Sequence, residues 1–175
     1  MLEFILGGAR SGKSSYAEAK VEAYPGAVYL ATAKVYDDEM AHRVKLHQER
    51  RNKQWLTLEK YKDFKVEDFS DKPAVLIDCL TMMVTGLFFE EDVSDFSDES
   101  FMELEERIWL EIESLLDLLV DRDVFLVSNE IGLGLVPEKR LSRVFRDMMG
   151  RFHQKIAKRA DRVTLVVAGL ALEVK

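Results

Sequence analysis

Several short stretches of the chain are almost continuously apolar. They are LEFIL (Leu2 to Leu6), AVYLATA (Ala27 to Ala33), AVLIDCL (Ala74 to Leu80), VFLVSN (Val124 to Asn129) and VTLVVAG (Val163 to Gly169). Strands that alternate apolar and polar residues have one wet face. Near-continuous apolar runs of this length suit strands buried on both faces, as in a parallel sheet covered by helices. Between the runs the apolar residues recur at helical spacing. Ser14 to Ala23 reads as a helix. Asp37 to Arg51 sets Met40, Val44 and His47 on one face, and Phe101 to Val120 does the same with Leu104, Ile108, Ile112, Leu115 and Leu119. Leu141 to Ala160 carries Leu141, Val144, Phe145, Met148, Phe152 and Ile156 on one stripe. Phe88 to Ser100, acidic and serine-rich, reads as a surface connection. Alternating strands and helices predict an α/β fold with a mostly parallel sheet flanked by helices.

The chain has 175 residues, a length that fits a single domain spanning 1–175, with no repeat and no linker to divide it. With 47% hydrophobic and 33% charged residues it can build one core and a solvated surface. The net charge of -7 argues against a nucleic-acid binder, because phosphate backbones select basic surfaces. It leaves room for a nucleotide site, which needs only a local positive field. Cys79, the single cysteine, has no disulfide partner and cannot form a zinc site alone. No signal-peptide pattern opens the chain, and no apolar run approaches the roughly 20 residues of a membrane helix. The expected setting is the cytoplasm, away from membranes.

The chemistry concentrates first in GGARSGKS, which follows the first apolar run. Gly7, Gly12, Lys13 and Ser14 satisfy the phosphate-loop pattern G-x-x-x-x-G-K-[ST], with a strand before it and a helix after it. Glycines let the backbone N–H groups turn onto one anion, and the helix start adds its positive dipole end. Gly7, Gly8, Ala9, Arg10, Ser11, Gly12, Lys13 and Ser14 are therefore the expected nucleotide cradle. Lys13 would reach the β- and γ-phosphates, and the Ser14 hydroxyl would bind Mg²⁺. Arg10 is either solvated or a further phosphate contact. Such a loop needs a carboxylate for its metal at the end of a neighbouring strand. Asp78 is the candidate, the alternative being that it caps the next element.

In open α/β sheets, ligands gather at the carboxyl ends of strands. Those ends here are Gly7, Thr32 to Lys34 (Thr32, Ala33, Lys34), Asp78, Asn129 with Glu130, and Gly169. The polar, glycine-containing stretch after Asn129 reads as a substrate-binding loop. On the predicted helix from Asp37, His47 lies four residues from both Arg43 and Arg51. Two arginines would keep the imidazole neutral and nucleophilic, and could hold phosphates against it. From spacing alone the better reading is that His47 edges the apolar stripe of Met40 and Val44. His42 reads as solvated and His153 as a surface or interface residue.

The motifs together resemble a known family. GGARSGKSSYAE, YLATAKVYDDEMAHRVKLHQERR, WLTLE, LIDCLTMMVTGL, VSNEIGLGLVPEKRLSRVFRDMMGRFHQ and ADRVTLVVAGLALEVK, from one end of the chain to the other, resemble the bifunctional adenosylcobinamide kinase / adenosylcobinamide-phosphate guanylyltransferase family of cobalamin biosynthesis. The resemblance implies a RecA-like P-loop NTPase fold and two reactions on one corrinoid, with ATP and GTP as substrates. It implies that His47 and Lys13 are catalytic, His47 by taking the nucleotide covalently. It implies nucleotide contacts from Arg51, Glu59 and Asp78, metal binding by Ser14 and Asp78, and corrinoid contacts from Asn129, Glu130 and Arg146. It also implies a homotrimer. The chain departs from the family's usual pattern at Asn52 after Arg51, at Gly86, and at His153 before Gln154.

Overall fold

The computed structural model describes residues 1–34, 52, 54–69 and 71–175. The predicted helix over Asp37 to Arg51 lies outside the described residues, as do His47, His42, Arg43 and Arg51 themselves. The strands are β1 (Leu2–Gly7), β2 (Ala27–Ala31), β3 (Leu56–Glu59), β4 (Ala74–Asp78), β5 (Asp123–Asn129), β6 (Arg162–Val167) and β7 (Leu170–Glu173). The helices are α1 (Lys13–Val21), α2 (Leu80–Phe88), α3 (Asp98–Leu118) and α4 (Arg140–Arg159). One seven-stranded sheet has the order β3-β2-β4-β5-β1-β6-β7. All its pairs are parallel except β6 with β7.

Both faces of the inner strands are dry, as the apolar runs require. Phe4, Val28, Leu30, Val75, Ile77, Val124 and Leu126 face a large core with residues of α2, α3 and α4. The alternate positions Ile5, Tyr29, Leu76, Phe125 and Val127 face a second core with Ala17 and Val21 of α1. The sides follow from one rule of handedness. From β1 to β2 the chain crosses the sheet in one direction. From β4 to β5 and from β5 to β6 it crosses in the other. With right-handed crossovers throughout, the helices of the two directions must lie on opposite faces. The same rule makes α3 and α4 run parallel. Their ion pairs climb in step: Asp98–Arg140, Glu105–Arg151 and Asp117–Arg159, each 2.6 Å.

The structure corrects several expected boundaries. The strand expected to run to Gly169 ends at Val167. Ala168 (φ 51°) and Gly169 (φ 81°) then turn the chain into β7. The surface connection expected over Phe88 to Ser100 shrinks at both ends. Phe88 closes α2, and Ser97 caps α3 by accepting from Ser100 N.

Candidate functional site

β1 and β5 are neighbours, with Gly7 in register with Asn129. The loop after β1 leads to α1 on one face, and the loop after β5 leads to α4 on the other. That divergence opens a crevice at the carboxyl ends of the two strands, where doubly wound sheets bind their ligands. The glycine loop enters it from one side and Asn129 and Glu130 from the other. Glu130 N donates to the Gly7 carbonyl at 2.9 Å, which closes the floor.

The loop folds tightly because its sequence allows it. Ser11 N donates to Gly8 O at 3.2 Å, and Gly169 N donates to Ser11 O at 2.8 Å, so the β6–β7 turn braces the loop. Gly12 holds φ 95°, and a Cβ there would lie 3.2 Å from Gly169 Cα. A Cβ on Gly7 would lie 2.6 Å from Val166 O. Only glycine fits either position without displacement. Lys13 opens α1 buried at 8% exposure, its Nζ donating to Gly8 O at 3.1 Å. Arg10 is exposed on the loop at φ 58°.

Ser14 and Asp78 meet across the crevice. Ser14 Oγ donates to Asp78 Oδ1 at 3.3 Å, and Tyr29 donates its hydroxyl proton to Asp78 Oδ2 at 2.5 Å. The alternative reading of Asp78, as a cap, does not describe it. Cys79 is the N-cap of α2, which has no side-chain cap bond. The carboxylate is turned to the loop instead. Two oxygens of this kind, a hydroxyl and a carboxylate at the loop's mouth, suit a small hard cation.

The remaining expected residues are distributed as follows. Thr32 is buried, its hydroxyl donating to Cys79 O at 2.6 Å, so it ties β2 to the end of β4. Ala33 follows it half-buried, and Lys34 is exposed with its ammonium 5.6 Å from the Tyr61 ring centroid. Glu59 ends β3 in register with Ala31. Arg146, on α4, pairs with its neighbour Asp147 at 2.9 Å. Cys79 is buried, and burial first, then the Asp78 charge, push its thiol up to about 12.

His153 is the clearest correction. Expected at the surface or an interface, it is 7% exposed and packed inside the chain's own core. The buried stripe of α4 is Met148, Met149, Phe152, His153 and Ile156, while Leu141, Val144 and Phe145 of the expected stripe are only half-buried. The His153 ring meets Phe4 edge-on at 5.5 Å. Its Nε2 lies 2.9 Å from Ser128 Oγ, and its Nδ1 lies 3.7 Å from Glu130 Oε2. Burial lowers its pKa, against the opposing pull of the Glu130 carboxylate. Sequence reasoning also missed Ser128 and Thr81. Both are polar residues in apolar surroundings, which was the available signal.

Among known families, the model described as cobinamide kinase / cobinamide phosphate guanyltransferase matches residues 3–174. The bifunctional adenosylcobalamin biosynthesis protein CobU of Escherichia coli is 39% identical over 181 aligned positions, covering 100% of both chains. CobU of Salmonella typhimurium is equally similar, at 39% and 100% of both. CobP of Pseudomonas aeruginosa is 40% identical, over 100% of this chain and 98% of its own. Solved structures overlay only loosely, as with a type III secretion ATPase at 12% identity and TM-score 0.43, covering 98% of this chain and 57% of that one. A full-length match at this identity, joined to an intact glycine loop in a mostly parallel sheet, assigns the chain to the cobinamide kinase / cobinamide phosphate guanyltransferase family.

Proposed function

We propose that the chain carries out both reactions for which its family is described, on adenosylcobinamide. The observation that carries this reading is the convergence of Lys13, Ser14 and Asp78 on the glycine loop in a chain of this family. In the first reaction the loop's N–H groups and Lys13 hold the β- and γ-phosphates of ATP or GTP. The γ-phosphoryl group then passes to the aminopropanol hydroxyl of the corrinoid. Such transfers depend mostly on positioning and charge stabilisation. Ser14 and Asp78 are the residues that would hold Mg²⁺, which supplies compensation for the charge on the β- and γ-oxygens. Tyr29 fixes the Asp78 carboxylate while it does so.

In the second reaction His47 attacks the α-phosphorus of GTP. A nitrogen–phosphorus bond forms, the α–β bridge breaks, and pyrophosphate leaves. The phosphate of the corrinoid then takes the guanylyl group from His47, giving adenosylcobinamide-GDP and freeing the histidine. Dividing the transfer in this way replaces one hard displacement by two easier ones. Arg51, Lys34, Arg10 and Glu59 are assigned to the nucleotide, and Asn129 and Arg146 to the corrinoid. The working form is a homotrimer in the cytoplasm. Incubation with adenosylcobinamide, ATP and GTP, read by product mass, tests the whole sequence. The expected products are the corrinoid phosphate and then its GDP adduct. A phosphate that never becomes the adduct would reduce the protein to a kinase.

A further inference from the structure

Behind the crevice runs a chain of hydrogen-bonding groups that no step above uses. It starts at Asn129 N, which donates to Thr81 Oγ1 at 2.9 Å. Thr81 Oγ1 lies 3.1 Å from Ser128 Oγ, and Ser128 Oγ lies 2.9 Å from His153 Nε2. On the far side of the ring, Nδ1 faces Glu130 Oε2 at 3.7 Å. Glu130 Oε1 meanwhile accepts from Gly132 N at 2.5 Å. Thr81, Ser128 and His153 are all buried.

The direction of the protons follows from counting donors. Thr81 Oγ1 already accepts the Asn129 amide, so its own proton is available for Ser128 Oγ. Ser128 then spends its proton on His153 Nε2. That leaves His153 protonated at Nδ1, the nitrogen that faces the Glu130 carboxylate. The reverse order would leave the Thr81 proton without an acceptor among the described contacts, and buried hydroxyls are costly unpaired.

The result is a carboxylate at the mouth of the crevice, backed by an imidazole of fixed tautomer. Glu130 stands directly after β5, its backbone bonded to Gly7 at the start of the phosphate loop. Glu130 stays 22% exposed on its side chain while His153 behind it is sealed. A third group that orients and polarises the base is the pattern of catalytic carboxylate–histidine arrangements. Here the order is inverted, with the histidine behind and the carboxylate in front.

We propose, resting on the kinase half of the function above, that Glu130 takes the proton of the acceptor hydroxyl and that His153 is its positioning residue. As the hydroxyl oxygen bonds to the γ-phosphorus, its proton passes to a Glu130 oxygen. The β–γ bridge breaks, and the nucleoside diphosphate leaves with the bond's electrons. Glu130 returns the proton to water after the product departs.

The test uses the full-length protein with adenosylcobinamide and ATP. Glu130→Gln keeps an oxygen for Gly132 N but cannot take the proton. Its kcat for corrinoid phosphorylation falls by about 100-fold or more, the scale of a lost general base. Its ATP dissociation constant, read by calorimetry, stays within about threefold. His153→Asn lowers kcat by about tenfold, as loss of a partner behind a functional ligand does, with KM for the corrinoid little changed. The ¹⁵N shifts of the wild-type ring report protonation at Nδ1. A Glu130→Gln kcat within about twofold of an active wild type overturns the base assignment alone. Ring protonation at Nε2 overturns the positioning role. A wild type that binds ATP but phosphorylates no corrinoid overturns the proposal together with the function beneath it.

Discussion

Lys13 shows how much a single residue of the site is already committed in the fold. Its ammonium is buried against the Gly8 carbonyl, in the space between loop and helix, 3.1 Å from its acceptor. A phosphate entering the loop meets a cation that has lost most of its freedom before binding. Lys13→Ala is expected to lower kinase kcat/KM by at least about 100-fold, the cost of removing one fixed donor to developing charge. A steady-state assay with ATP as the varied substrate checks it. His153 makes a prediction of the opposite kind, on stability. Its folded pKa lies below the ordinary 6.5, mainly through burial. Below that ordinary value the unfolded chain binds a proton that the folded chain refuses. Stability therefore falls as pH drops below about 6.5, until the folded ring itself titrates. Urea unfolding midpoints from pH 7 to 5 should decline less steeply in His153→Asn than in the wild type. Cys79 stays a thiol, with its pKa pushed up to about 12 by burial first and Asp78 second. A disulfide reagent at pH 8 should label it only as fast as the protein unfolds, since the thiolate is the reactive form.

At the scale of elements, the glycine loop and α3 are held by quite different means. The loop depends on two glycines. Gly12→Ala puts a Cβ 3.2 Å from the Gly169 backbone at a left-handed φ of 95°. The strain is about 1–2 kcal/mol, a loss of several degrees in Tm for a chain of this size. Scanning calorimetry reads that loss, and weaker ATP binding should accompany it. α3 begins on the Ser97 hydroxyl, so Ser97→Ala should cost about 1 kcal/mol in urea unfolding and leave the kinase rate unchanged. The inner strands were legible in the chain because burial on both faces leaves few polar positions to confuse the pattern. Three elements were not. β3 and β7 are four residues each and expose nearly every one, so neither forms a long apolar run like the inner strands. α2, LTMMVTGLF, is buried on most sides and has no polar stripe to reveal its period. Gly86 within it carries its own explanation. A Cβ there would lie 3.0 Å from the Tyr61 ring, so a larger side chain would displace that ring.

Across the whole molecule, the sheet order turns local motifs into one site. The phosphate loop was legible alone, because its chemistry lies in eight consecutive residues. Asp78 was legible as a carboxylate at a strand end, but its two roles separated only when β4 brought it to Ser14 and Tyr29. Glu130 was legible as a polar group after β5. Its histidine was not, since Ser128, His153 and Glu130 meet only when α4 packs across β5 and β1. No helix among the described residues is long and apolar enough to cross a membrane. In the proposed function one chain passes phosphate directly and guanylyl through His47. Incubation with GTP labelled at the α-phosphorus tests it most directly. The expected result is a protein-bound label that survives denaturation, is released by acid, is absent from His47→Ala, and is discharged by the corrinoid phosphate. Protein that phosphorylates adenosylcobinamide yet never acquires the label, or a His47→Ala variant labelled as well as the wild type, would contradict it.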